Sequence, residues 1–153
     1  MLDGAIHPET LYQLENSRTG RYLYDVDHPY SNGVPEGFSS WEDWWRNSVT
    51  TFVNTLHDSI QINKPHVRLS AAVLGRYNWG GWQGYETVYQ DGALWFNNGF
   101  VDQLTPMHYH WTTANGFSQM LQGSNESWLP HIQEGVLAGR LFTVGPGSYI
   151  LAD

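Results

Sequence analysis

Four carboxylates stand in loop-like stretches of the sequence where acid/base chemistry could use them. Glu86 and Asp91 follow an apolar run that predicts a buried strand, and two further aspartates lie in a turn-rich segment near the start. Paired carboxyl groups can act as general acid and base; on a glycosidic bond, for example, they lie about 5–5.5 Å apart for retention of configuration or about 6.5–9.5 Å apart for inversion. We therefore predict the catalytic residues among these four: Asp91, Glu86, Asp27 and Asp25.

Each of these carboxylates also has a structural interpretation. Asp91 can cap the helix that follows it, because a side-chain oxygen at that position accepts a free backbone N–H. Glu86 can be a solvated loop residue, as most glutamates are. Asp25 and Asp27 can form turns with their own backbone. The sequence leaves both roles open for all four.

Aromatic residues make up 15% of the chain, with eight Trp and nine Tyr. A core alone does not need so many, because each of these side chains carries a polar group that requires a partner. Several alternate with glycines from Gly75 to Tyr85, a pattern that keeps rings exposed to stack on sugars; the alternative is an aromatic cluster packed under the loop. We predict seven substrate-binding residues: Tyr77, Trp79, Trp82, His108, Tyr109, His110 and Trp111.

His108 and His110 lie at a predicted strand end, and residues two apart in a strand point to the same side. They are expected to contact sugar hydroxyls. A metal-dependent hydrolase that recruits His131 or Asp153 is an alternative, but zinc needs three or four ligands and two histidines alone do not make a site. We predict neither a metal nor another cofactor.

Helical periodicity is strongest from Trp41 to Ile62, where Ser40 is the predicted N-cap and Pro65 follows the end. The sequence predicts three shorter helices after it. They cover residues 91–97, 117–121 and 126–134, the last broken by Pro130. Residues 1–40, by contrast, are rich in turn-forming residues and predict a loop-rich segment.

Three apolar runs between these helices predict strands, at residues 67–74, 100–107 and 139–145. The first is almost continuously apolar, which is typical of a strand buried on both faces. Because helices alternate with strands, we predict an α/β fold in which crossover helices connect parallel strands.

Four segments, taken in order, resemble a known family: Trp45–Val53, Lys64–Ser70, Gln90–Asp102 and Leu104–Tyr109. Together they are similar to the glycoside-hydrolase-like (β/α)8 barrels that are distantly related to α-amylase-type barrels. The resemblance covers about residues 41–151. It implies a TIM-type barrel that is partial in this chain, with residues 41–153 corresponding to strands five to seven.

The resemblance implies a glycoside hydrolase, or a fragment of one, that acts on a polysaccharide or oligosaccharide. The family carries an aspartate in a D-x-x-RYP motif on its fourth strand, and the segment Asp25–Tyr30 is a poor match to that motif. The nucleophile can therefore lie outside this chain. A carbohydrate-binding protein without catalysis is the alternative that this departure favours.

Composition excludes some partners. The formal net charge is −8 and Lys64 is the only lysine, so the chain has no basic stripe with which to bind nucleic acid. No run of 18 apolar residues predicts a membrane span, and the first residues do not predict a signal peptide. An extracellular or periplasmic location is expected if a parent protein carries such a signal. The rest of a parent barrel, or further copies of the chain, are the expected protein partners, because a partial barrel leaves open sheet edges.

Overall fold

The computed structural model describes residues 33–150. The chain divides into two compact units, Met1–Val49 and Thr50–Asp153. Residues 33–40 contain turns and bends without a helix or strand. Most of the predicted loop-rich segment 1–40, including Asp25 and Asp27, lies outside the described residues, so the predicted division at residue 40 stays a prediction.

The first helix, α1, spans Trp41–Asn63, as the sequence periodicity predicted to within one residue. The Ser40 hydroxyl accepts the Asp43 N–H at 3.2 Å, which satisfies one of the free donors at the helix start. At the other end, the Asn63 side chain donates to the Ser59 carbonyl at 2.8 Å. Pro65 lies just beyond and disfavours continuation of the helix.

Two helices follow the first strand. The short helix α2, Gly84–Thr87, lies at the end of a segment expected to be loop. Helix α3 spans Gly92–Asn98, as predicted, with Asp91 at its N-cap. It ends at Gly99, whose φ of +79° is in the left-handed region that glycine adopts without strain.

Helices α4 and α5 correct two details of the sequence prediction. Helix α4 spans Ala114–Gln122 and begins three residues before the predicted start, because Thr113 caps it by accepting the Gly116 N–H at 3.1 Å. Helix α5 spans Leu129–Leu137. Pro130 lies in its first turn, where a missing N–H costs nothing, so it begins the helix rather than breaking it.

The strands are short and parallel. Strands β1 (Ser70–Ala71), β2 (Gln103–Leu104) and β4 (Leu141–Phe142) form one sheet in that order. Strands β3 (Met107–His108) and β5 (Gly145–Pro146) form a second pair. The fold of the described residues is therefore α/β with parallel strands. Along the chain β3 follows directly on β2 and β5 on β4, so β2–β3 and β4–β5 are two interrupted strands that lie side by side after β1.

Pro106 explains why the second predicted strand is divided into β2 and β3. Thr105 donates to the Ala71 carbonyl at 2.9 Å and Met107 donates to the Val73 carbonyl at 2.8 Å. Backbone N–H groups along this strand point alternately to its two neighbours. Thr105 and Met107 donate toward the β1 side, so Pro106 faces the β4–β5 side, where it has no N–H to donate. Its carbonyl still accepts the Gly145 N–H at 3.0 Å, which keeps the ladder aligned on both sides of the break.

One face of the sheet carries the core. Val73, Leu104 and His108 are buried on that face, together with Phe96 of α3 and Ile132 of α5. Helices α3 and α5 pack closely, because a Cβ at Gly135 would lie 2.3 Å from Phe96 Cδ1.

The opposite face is polar and partly exposed. The Thr105 and Thr143 hydroxyls are 2.7 Å apart, and the Gln103 amide donates to both. In β1 and just after it, Ser70 and Ala72 are exposed. The prediction of a first strand buried on both faces was therefore wrong, because only one face of this sheet is covered by the helices that the structure describes.

Candidate functional site

The pocket at the carboxyl ends of the strands is the candidate site. Its volume is about 510 Å³, within the usual range for ligand pockets. The segments that follow β1 and β3 form it, at the end of a parallel sheet where ligands commonly bind. Its lining consists of Leu74, Gly75, Arg76, Trp82, Met107, Tyr109, His110 and Trp111.

Four of the seven predicted substrate-binding residues line this pocket: Trp82, Tyr109, His110 and Trp111. The side chain of Trp82 is 68% exposed, so a large aromatic surface is open to solvent without a packing role. Tyr109 is also exposed, and its ring lies edge-on to Tyr149 with 6.3 Å between the ring centroids. The pocket therefore presents aromatic surfaces together with the polar groups of Arg76 and His110.

Arg76 is a lining residue that the sequence interpretation missed. Its guanidinium lies over the Trp111 ring, 5.7 Å from the ring centroid, in a cation–π arrangement. Its Nη1 also donates to the Gly80 carbonyl at 2.6 Å. Arg76 is the only Lys or Arg between Leu69 and Gly139, a signal that could have directed attention to it.

Glycines allow the loop to close around this pair. Gly80 and Gly81 have φ angles of +42° and +68°, which residues with a Cβ rarely adopt. A Cβ at Gly75 would lie 2.5 Å from the Met107 carbonyl oxygen and 2.8 Å from Trp111 Cζ3. Strand β3 and the Trp111 ring can therefore approach the loop closely only because residue 75 is glycine.

His108 has a different environment from the one predicted. It is fully buried, and its ring forms T-shaped pairs with Trp111 and Phe117, with 5.3 and 6.1 Å between the ring centroids. Within residues 33–150, neither ring nitrogen has a hydrogen-bond partner. Burial lowers the pKa of His108 to about 4; the Gly75 carbonyl opposes this shift but does not lie in hydrogen-bonding geometry with either nitrogen.

His110 is exposed and lines the pocket, whereas His108 does not. The expectation that the two histidines share one face was wrong, because β3 ends at His108 and a turn follows. His108 instead packs behind Trp111 and supports the pocket wall. It is not a lining residue of the pocket.

Tyr77 and Asp91 are hydrogen-bonded to each other, and neither lines this pocket. The Tyr77 hydroxyl donates to Asp91 Oδ1 at 2.6 Å, and the same oxygen accepts the Leu94 N–H at 3.2 Å. Both residues are buried, and the Tyr77 ring packs against Trp128 at 5.6 Å. Asp91 therefore caps α3, and Tyr77 belongs to the packed aromatic cluster that was the alternative interpretation.

Glu86 is exposed, and its side chain is hydrogen-bonded to a neighbour in the same loop. Its Oε2 accepts a hydrogen bond from Gln83 Nε2 at 2.9 Å, and its backbone N–H donates to Gln83 Oε1 at 3.2 Å. Gln83 thus caps the start of α2, and the Glu86 carboxylate holds the capping side chain. Within the described part of the chain, no Asp or Glu belongs to the lining of the strand-end pocket, so the structure does not bring Asp91 and Glu86 together there.

Trp79 lines a second pocket, of about 460 Å³. Its ring stacks on His131, with 6.0 Å between centroids, and meets the edge of Trp128 at 5.9 Å. Arg76 and Trp111 line this pocket too, so they separate it from the first. Gln119, Ser124 and Glu126 add polar groups to its lining, and none of them was singled out from the sequence.

The described residues offer no arrangement for the alternative metal site. No group of three or more His, Asp or Glu side chains between residues 33 and 150 could hold a metal ion. The His131 Nε2 lies 2.9 Å from the Asn125 carbonyl, and His108 is enclosed by rings. Asp153 lies outside the described residues.

The fold and the pocket are those of an α/β protein with an aromatic-lined pocket at the carboxyl end of parallel strands. The model of the family glycosyl hydrolase-like 10 matches residues 8–140. The chain therefore belongs to this family, and the glycoside-hydrolase-like resemblance is confirmed at that level. No curated protein matches the chain. None of the helices within residues 33–150 combines the length and the apolar character that crossing a membrane would require.

Proposed function

We propose that the chain forms part of a glycoside hydrolase and that the strand-end pocket binds a sugar residue of a polysaccharide or oligosaccharide. The observation that carries this proposal is the set of aromatic rings at the pocket, Trp82, Tyr109 and Trp111, beside the polar groups of Arg76 and His110. Rings of this kind stack on the apolar face of a sugar, while the polar groups accept or donate hydrogen bonds to its hydroxyls. Membership of a glycosyl-hydrolase-like family supports the same ligand class.

The proposed architecture is a TIM-type barrel of which this chain supplies consecutive strands, corresponding to strands five to seven. The parallel order supports it, because β1, the interrupted strand β2–β3 and the interrupted strand β4–β5 lie side by side in the order of the chain, as consecutive strands of such a barrel do. The half-exposed polar face with Gln103, Thr105 and Thr143 would then face the barrel interior. The remaining strands would come from the rest of a parent barrel or from further copies of the chain.

The proposed chemistry uses one carboxyl group as the acid that protonates the leaving oxygen. A second carboxyl group acts as a nucleophile or as the base that activates water. Asp91 and Glu86 stay candidates, but the Asp91 carboxylate caps α3 and the Glu86 carboxylate accepts a hydrogen bond from the Gln83 side chain. Asp25 and Asp27 stay candidates from the sequence and lie outside the described residues. The pair can also include a carboxylate outside the chain.

Binding and hydrolysis can be tested with one panel of oligosaccharides and peptidoglycan fragments. We expect Trp fluorescence to change on titration, because three rings line the pocket, and we expect reducing ends to appear where hydrolysis occurs. Trp82→Ala should weaken binding by roughly tenfold, a loss of about 1.4 kcal/mol of stacking. Phe52→Ala removes an equally exposed aromatic ring, 67% accessible, that does not line the pocket, and should leave binding unchanged. Neither binding nor turnover across the panel would contradict the proposal.

A carbohydrate-binding protein without catalysis is the second candidate. The absence of Asp and Glu from the described lining of the strand-end pocket favours it. Saturable binding of a glycan that the protein leaves intact after prolonged incubation would support this candidate over the hydrolase.

A further inference from the structure

The second pocket adjoins the proposed sugar site through a shared wall. Arg76 and Trp111 line both pockets, and the guanidinium lies over the indole ring. The two pockets have similar volumes, about 510 and about 460 Å³. A ligand that stacks at one pocket can therefore continue past the same pair of side chains into the other.

The shared wall is held in place from several directions. Arg76 donates to the Gly80 carbonyl, which fixes the guanidinium over Trp111. His108 supports the Trp111 ring edge-on at 5.3 Å, and Gly75 allows the backbone to approach the same ring. A fixed stack costs less conformational entropy when it receives a ligand than a mobile pair would. The wall is thus suited to contact two consecutive units of one ligand.

The second pocket has its own ring and its own polar groups. Trp79 is held by stacking on His131 and by edge contact with Trp128. The Gln119 and Glu126 side chains are exposed, and neither has a hydrogen-bond partner within residues 33–150. An amide and a carboxylate beside an aromatic ring can satisfy several sugar hydroxyls at once.

We propose that the two pockets are adjoining subsites for one linear glycan, so that the ligand is an oligosaccharide long enough to contact Trp82 and Tyr109 on one side of the Arg76–Trp111 wall and Trp79, Gln119 and Glu126 on the other. This inference rests on the proposed function, because it requires the strand-end pocket to bind sugar. It adds the size of the ligand and a second set of contacts. A monosaccharide or disaccharide occupies only part of this surface.

The test measures affinity against chain length by calorimetry with the full chain. The probes are β-1,4-linked N-acetylglucosamine and β-1,4-linked glucose oligomers, from the disaccharide to the hexasaccharide. We expect the hexasaccharide to bind roughly tenfold or more tightly than the disaccharide of the same series. The combined variant Gln119→Ala, Glu126→Gln should remove most of that advantage and change disaccharide affinity by less than about twofold.

Two controls separate the pockets. Gln122→Ala makes the same change on the same helix, at an exposed residue that lines neither pocket, and should retain the full dependence on chain length. Trp82→Ala should weaken binding of every oligomer, including the disaccharide.

The outcomes distinguish the two levels of the proposal. Equal affinity for disaccharide and hexasaccharide would overturn the adjoining subsites and leave the sugar pocket in place. The same follows if the combined variant weakens all lengths alike. Absence of binding at every length in both series contradicts the proposed function and this inference together.

Discussion

His108 and His110 lie two residues apart and meet opposite environments. His110 is exposed at the pocket, whereas His108 is enclosed by Trp111 and Phe117 without a hydrogen-bond partner in the described residues. A buried imidazole in such surroundings favours its neutral form, because the protonated form would lose its hydration and the Gly75 backbone offsets only part of that loss. The wall of the strand-end pocket is therefore coupled to the charge of a residue behind it.

The first prediction concerns the stability of the folded protein in acid, through the titration of His108. The pKa of His108 is about 4 in the folded state, against 6.5 for the unperturbed side chain. The unfolded chain therefore binds the proton first, so stability is fully present above pH 6.5 and is lost as the pH falls toward 4. The total loss is on the order of 3 kcal/mol by linkage. Urea denaturation across that range of pH measures it.

Two variants isolate the His108 contribution from carboxylates that titrate in the same range. His108→Phe keeps an aromatic ring in the cage and should flatten the dependence of stability on pH. His66→Phe changes an exposed histidine and should leave the dependence as in the unmodified chain. Identical slopes for His108→Phe and the unmodified chain would contradict the assignment.

The second prediction concerns Gly75, where the backbone approaches the pocket wall. In Gly75→Ala the added Cβ would meet the Met107 carbonyl oxygen at 2.5 Å, and this backbone atom cannot rotate away. We expect a loss of about 1–3 kcal/mol of stability together with a shifted Trp111 fluorescence signal. Gly84→Ala is the matched control, because its Cβ would meet its neighbours at ordinary distances of 3.4 Å and above. Equal stability of the two variants would contradict the close approach.

At the scale of single residues, the sequence could indicate the exposed aromatic side chains but not their partners. Trp82 and Trp111 were predicted from their residue types and their glycine-rich or strand-end context. The stacking of Arg76 on Trp111 joins residues that are far apart in the chain, so no local pattern encodes it. The burial of His108 depends on where β3 ends, and one residue of difference in that end moves a side chain from the surface to the core.

Elements with local signals were predicted well. Helix α1 follows from a long apolar periodicity and a Ser40 cap, and α3 follows from Asp91 and Gly99 at its two ends. The strands were placed correctly in order, but their breaks were not predicted. The break at Pro106 depends on which neighbouring strand its missing N–H would face, which is a property of the assembled sheet.

The third prediction separates the structural role of Asp91 from a catalytic one. Asp91→Ala should cost about 1–2 kcal/mol, because the Leu94 N–H and the Tyr77 hydroxyl both lose their acceptor. Asp91→Asn keeps an acceptor oxygen and should retain most of the stability. Chemical denaturation of the two variants tests this order.

Activity of the Asp91→Asn variant gives the second readout. If Asp91 acts only as a cap, hydrolysis by this variant stays near that of the unmodified chain. A variant that keeps its stability and loses hydrolysis would return Asp91 to the catalytic pair.

On the scale of the whole molecule, the described sheet has one face covered by helices and one face that is half exposed. That arrangement agrees with the sequence prediction of parallel strands joined by crossover helices. The number of strands in a closed barrel could not be predicted in this way, because it depends on segments outside residues 33–150. Family membership over residues 8–140 extends beyond the described part and covers Asp25 and Asp27.

The fourth prediction places catalysis in that preceding part of the chain. Asp25→Asn and Asp27→Asn, made separately, should each be tested for hydrolysis and for binding of the same glycan. Loss of a carboxyl group that transfers a proton lowers the rate by roughly 10²–10⁴-fold. Binding should persist in either variant, because the aromatic pocket remains intact.

Asp58→Asn, at an aspartate whose side chain is 62% exposed on α1, is the control and should change neither readout. Full hydrolysis by both Asp25→Asn and Asp27→Asn would contradict this assignment, and the pair would then have to be sought at Glu86, at Asp91 or in a partner polypeptide.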